Sequence, residues 1–131
     1  MTQALKQRLF QLLHDELQWN VSDNMDALRA QREFPAVQIK LSHSTKDLIK
    51  TAFKETIRFK IDIFSTYDGE KEIIEMEEAL ISNLPKMYDV AGLVYIRESG
   101  FRIMADKSTG VEMKHGIITL QFNCAGQFEE E

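Results

Sequence analysis

Few residues in this chain combine the type and the spacing that chemistry needs. His14-Asp15-Glu16 has the His-x-Glu spacing of zinc deaminases, in which the His holds the metal and the Glu moves protons. That chemistry also requires a Pro-Cys-x-x-Cys run, and the chain has one cysteine, Cys124. Cys124 and His115 have the types of a nucleophile and its base. They lie nine positions apart on or beside one expected strand, about 30 Å of extended chain. One cysteine and three dispersed histidines supply no tetrahedral zinc set. The carboxylate pairs Glu77-Glu78 and Glu70/Glu72 fall on the exposed side of an expected helix. Acid–base carboxylates need a pocket that drives their pKa values apart, and nothing in the pattern signals one. The six glycines (69, 92, 100, 110, 116 and 126) are scattered and form no phosphate-cradling loop. The expectation is a protein without catalytic residues, cofactor or metal.

Composition agrees. At 131 residues the chain is one domain, 1–131, with a short acidic tail over 125–131. The apolar fraction of 44% is ordinary for a globular protein. No apolar run reaches the roughly 20 residues that span a bilayer, and the N-terminus lacks the pattern of a signal peptide. A lone cysteine fits a reducing cytoplasm, with Cys124 a small core residue of the last strand. Net charge is −5 but unevenly spread. Between Lys40 and Lys60, six basic residues face two acids, a segment of +4 that leaves −9 for the rest. Such asymmetry suits steered association between complementary surfaces. Only Phe53 and Phe59 interleave with the basic residues, which gives no stacking platform for nucleic acid, and overall acidity argues against a sequence-specific DNA binder.

The elements expected to position these residues follow from periodicity. Residues 3 to 17 form a helix with the stripe Ala4, Leu5, Leu9, Leu12, Leu13 and Leu17, Thr2 serving as cap. Residues 19 to 34 are ambiguous: Ser22-Asp23-Asn24 reads as a turn and Leu28 to Phe34 as a short helix or weak strand. Pro35 introduces a strand from Ala36 to Leu41, and Ser42 to Asp47 is a polar connection. From Glu55 to Ser65 the alternation is strict, with Ile57, Phe59, Ile61 and Ile63 on one face. A second helix over about 69 to 83 is capped by Asp68, buries Ile73, Met76, Leu80 and Leu84, and is stopped by Pro85. Leu93 to Arg97 and Phe101 to Ala105 make a hairpin around Glu98-Ser99-Gly100. After turn-rich Asp106 to Gly110, the last strand runs from about Met113 to Cys124. The order α-β-β-α-β-β-β predicts an α+β fold, a mainly antiparallel sheet of about five strands packed by two helices.

The run Arg58-Phe59-Lys60-Ile61-Asp62-Ile63-Phe64-Ser65, then Asp68-Gly69-Glu70-Lys71-Glu72-Ile73 and a helix, resembles the tail-completion proteins of long-tailed phages. So do Phe101 to Asp106 and His115 to Phe122, within a span of about 35 to 124. The resemblance to these tail terminators implies a non-enzymatic virion protein, made in the host cytoplasm and carried at the head–tail interface. It implies a ring of copies, hexameric in the family, that caps the tail tube, ends its polymerisation and meets the head-closure connector. DNA would pass through the channel without sequence-specific contact, and no membrane is involved. In the family the region after Leu41 looks like a mobile loop that orders on docking. The charge pattern nominates Lys46, Lys50 and Lys54 as the basic side of an assembly interface, and Glu75 and Glu78 as an acidic counterpart. The other class of function that the residues leave open is a small cytoplasmic binding or adaptor domain, monomeric or dimeric.

Overall fold

The strictly alternating segment is the centre of the molecule. In the computed structural model, which describes residues 1–22, 35–66, 68–106 and 113–127, it belongs to a five-stranded sheet. The strands are β1 (Asn20–Ser22), β2 (Ala36–Ile49), β3 (Ala52–Ser65), β4 (Leu93–Asp106) and β5 (Met113–Gln127), in spatial order β1-β2-β3-β5-β4. All neighbours are antiparallel except β1, which lies parallel to the start of β2. Ile57, Phe59, Ile61 and Ile63 of β3 are fully buried, as are Ile118, Leu120 and Phe122 of β5 in register beside them. The α+β class with a mainly antiparallel sheet is thus what the chain forms.

Both helices cover that apolar face. Helix α1 (Thr2–Gln11) sends in Leu5 and Leu9, then loosens into a π turn (Leu12–Glu16) that buries Leu12 and Leu13 together. Leu17 N donates to Leu12 O at 3.0 Å, and Gln18 at φ 57° ends the helix in the left-handed region. Thr2 is no cap; its hydroxyl donates to Glu55 Oε1 at 3.4 Å. Helix α2 (Glu70–Asn83) buries Ile73, Met76 and Leu80, and a 3₁₀ segment (Leu84–Asp89) carries on from it with Leu84 and Met87 inside. Pro85 sits in the first turn of that segment, where its missing N–H costs nothing. Asp68 does not cap α2 either, since Gly69 is the capping residue and Asp68 accepts from Thr66 Oγ1 at 3.1 Å. Helix and sheet pack tightly at Gly116, where a Cβ would collide with Ile73 Cγ2.

Among the described residues the order of elements is α-β-β-β-α-β-β, which corrects the expected one in three places. Asn20–Ser22 is a strand where the sequence showed no pattern. Ser42 to Asp47 is not a connection and carries no loop: β2 continues through it as far as Ile49. Glu98-Ser99-Gly100 is no hairpin turn but an irregularity in one 14-residue strand, between Glu98↔Leu120 and Gly100↔Thr119. The expected tail 125–131 is not all tail, since β5 continues through Ala125 and Gly126 to Gln127. The suggested turn beyond Ser22, the suggested element at Leu28 to Phe34, the turn at 107–110 and the remainder of the tail, 128–131, lie outside the described residues.

Candidate assembly surface

Strands β2 and β3 are each 14 residues long, with only Lys50 and Thr51 between them. Helices cover β3 out to Glu55 but β2 only as far as Ile39, and the outer part of β2 with the turn forms an exposed arm along β3. In β2 every residue from Lys40 to Ile49 is exposed, including Leu41, Leu48 and Ile49. Strand β1 pairs only with Ala36, Val37 and Gln38, so among the described residues no strand pairs the outer edge beyond them. On the inner side, β5 reaches along β3 as far as the pair Ala52↔Gln127. At the tip Lys50 has φ 41°, a backbone state that normally goes to Gly or Asn in a two-residue hairpin loop.

The three nominated lysines all belong to this arm but do not share one surface. Lys46, on the helix-side face, holds its ammonium 5.0 Å from the centre of the Phe53 ring and 3.9 Å from Glu55 Oε2. Glu55 is buried and its Oε2 accepts no hydrogen bond, so Lys46 is its counter-charge. Lys50 stands at the tip. Lys54 pairs across from Asp47 on the opposite face. Glu75 and Glu78 are exposed on α2, with Glu75 3.9 Å from Lys71. None of the three lysines forms an ion pair with either glutamate within the chain, so any such pairing would be between copies or with another protein.

The opposite face of the sheet holds residues that sequence reading did not assemble. Arg97 and Arg102 of β4 enter it by register, Arg97 beside Gln121 and Arg102 beside Ile117. Arg58 reaches the same place from β3. Arg58 Nε donates to Gln121 Oε1 at 3.0 Å and Arg97 Nη2 donates to the same oxygen at 3.3 Å. Gln121 is buried, and its own Nε2 donates to Asn123 Oδ1 at 3.1 Å. One available signal was the alternation of Thr119, Gln121 and Asn123, which marks a polar face without saying which strands flank it.

Four other arrangements bear on chemistry. Asp62 Oδ1 and His115 Nε2 are 2.8 Å apart, with the imidazole stacked on Phe64 at 4.4 Å between ring centres. Cys124 faces the helices while His115 faces away from them on the same strand, so the imidazole is not the base of that thiol. Burial, with the Glu55 carboxylate nearby, pushes the thiol up to about 11. His14 bonds to its neighbour Asp15 at 2.8 Å on the exposed surface and stacks on Phe10. Between α2, the 3₁₀ segment and β4 lies an open depression of about 280 Å³ lined by Glu77, Ile81, Tyr88 and Glu98. Desolvation there, then a hydrogen bond and charge repulsion from Glu77, raises the Glu98 carboxyl to about 7. No group of three metal-ligating side chains occurs among the described residues. No protein-family model matches the sequence, and no curated protein does.

Proposed function

We propose that this chain is a virion structural protein of the tail-terminator kind. Copies form a ring on the end of a phage tail tube, stop its polymerisation and join it to the head connector. The observation that supports this best is the arm. A long edge strand with exposed Leu48 and Ile49 at its end, backed by β3 and β5 and unpaired on its outer side among the described residues, is a surface shaped for another chain. Natural strand edges of this length are usually blunted, so a partner strand or a neighbouring subunit is the economical explanation. Lys50 and Lys54 add a positive outer surface for an acidic partner, and Glu75 and Glu78 offer a negative one on the far element.

The test combines assembly and exchange of charge. Light scattering across a concentration series, and electron microscopy with purified tail tubes, should show a ring that caps tube ends. The variant Lys50→Glu with Lys54→Glu keeps the fold but weakens joining of heads to tails, most at low salt where screening is least. Lys46 is better changed to Gln, because a glutamate there would face the buried Glu55. A chain that stays monomeric at all concentrations and leaves tube ends uncapped would instead be an adaptor that adds a peptide strand to the β2 edge.

A further inference from the structure

We infer that the exposed cationic part of the sheet face opposite the described helices is a binding surface for the phosphate backbone of a nucleic acid, read without regard to sequence. Six cations share this face: Lys40 from β2, Lys54, Arg58 and Lys60 from β3, and Arg97 and Arg102 from β4. Among residues whose side chains are described, the acids on it are Asp47 and Asp62, and Asp62 is buried against His115. The face therefore carries an excess of positive charge although the chain as a whole is at −5.

Two details show that the charge is concentrated there against the interest of folding. Lys40 and Lys60 stand directly opposite one another on neighbouring antiparallel strands, a like-charge pair that destabilises the sheet. Arg58 and Arg97 are drawn toward one point by a single buried carbonyl oxygen, Gln121 Oε1. Among the described residues neither guanidinium has a carboxylate partner, and both keep donors to spare, since each guanidinium carries five N–H groups. Two planar forks held side by side suit an anion with several oxygens, above all a phosphate.

The occupant is a nucleic acid more than an acidic protein because of what the centre of the face lacks. Protein interfaces are anchored by an apolar core within a polar rim. Here the centre is Arg58, Thr119, Gln121 and Arg97, and the exposed apolar side chains stand at the margins, Tyr95 and Met104 at the β4 edge and Ile49 at the end of β2. Polar, cationic surfaces interleaved with amides and hydroxyls are what phosphate contacts use. From Lys54 to Lys60 the strand rises about 20 Å, and β2 to β4 spans about 14 Å, room for several phosphates. This inference does not depend on ring formation, because the face is complete within one chain.

Fluorescence anisotropy with a labelled 20-base-pair duplex of arbitrary sequence tests it on the full chain at 50 mM salt. Binding is expected in the micromolar range, and to weaken on the order of 10²–10³-fold at 200 mM if four to six phosphates are neutralised. Arg58→Gln with Arg97→Gln should weaken binding at least about tenfold and flatten the logarithmic salt slope by about 1.8. Lys60→Gln with Arg102→Gln, two exposed positions, should act the same way if the first pair fails to fold. Lys71→Gln with Lys86→Gln, on the helical layer, should change affinity less than twofold. The inference is overturned if no binding occurs below about 100 μM at 50 mM salt, weaker than ordinary non-specific binding. It is also overturned if both pairs of face variants bind like the helical control, or if polyglutamate displaces the duplex as effectively as unlabelled DNA does.

Discussion

Truncating Phe59 to Ala tests the central packing most directly. Phe59 lies on the middle strand with no exposed surface, and its ring meets Phe122 edge to face at 5.8 Å and 79°. A buried phenylalanine removes at least about 150 Å² from water, which at about 25 cal/mol per Å² is close to 4 kcal/mol. Measured truncations of buried aromatics cost about 3–5 kcal/mol, with a cavity left behind, so about 4 kcal/mol is the expected loss. At about 2.1 cal/mol/K per residue, unfolding 131 residues carries about 275 cal/mol/K, so the melting midpoint should fall by about 15 °C. Calorimetry of wild type, Phe59→Ala, Phe122→Ala and the double variant supplies the numbers. The two single losses should exceed the double one by about 0.5–1.5 kcal/mol, the share of the aromatic pair. A single-variant loss under about 1 kcal/mol would refute the assigned burial, and strict additivity would refute the pairing.

The close approach of α2 to β5 makes Gly116→Ala a sensitive change: the added methyl meets Ile73, so stability should drop by about 1–3 kcal/mol in urea unfolding, and Ile73→Val should recover part of it. At the arm tip, Lys50→Gly relieves a left-handed lysine and should raise stability by about 0.5–1 kcal/mol, checked by the same titration. The Glu98 carboxyl is raised from 4.5 to about 7, so its neutral form is favoured in the fold; its contribution is full below about 4.5 and disappears as pH rises through 7. Glu98→Gln should therefore raise the melting midpoint at pH 8 and leave it nearly unchanged at pH 4, and an equal effect at both would show that the Glu98 carboxyl is not raised in the fold.

Strongly amphipathic segments were legible from sequence, and the others were not, for reasons visible in the fold. Ile57 to Ile63 and Ile73 to Leu84 each bury one face, so the periods of 2 and 3.6 are written in apolar residues. The stretch from Ser42 to Ile49 is exposed on both faces, so no alternation marks it as a strand, and its polar composition looks like a loop. Strand β1 is three residues long, too short for any period, and forms because β2 offers it an edge. Gly100 and Ser99 resemble a turn, yet they only add a residue to β4 opposite Thr119. The same limit governs the surfaces. Lys46, Lys50 and Lys54 are near neighbours in sequence and were found as a cluster, but alternation and the turn distribute them over two faces and a tip. Arg58 and Arg97 are 39 positions apart and come together only because β5 separates their strands and presents Gln121 to both.

Net charge is therefore a poor guide to what this chain attracts. The exposed acids Glu75 and Glu78 of α2 lie on the outside of the helical layer, beyond a helix about 10–12 Å across. The cations Lys40, Lys60, Arg97 and Arg102 are exposed on the other side of the sheet. At 0.1 M salt the screening length is about 10 Å, so a charge approaching the sheet face is governed by the cations beneath it and hardly senses the acids behind. A molecule with −5 overall can thus present a locally positive surface to a phosphate and a locally negative one to a basic partner. Two-sidedness of this kind also orients a subunit that stacks between two unlike neighbours, because each end of the contact then rejects the wrong partner through like-charge repulsion. The cationic sheet face, which runs out along the arm through Lys40 and Lys54, and the acidic helix are in this sense one design: two opposed surfaces on a small core, each complementary to a different chemistry.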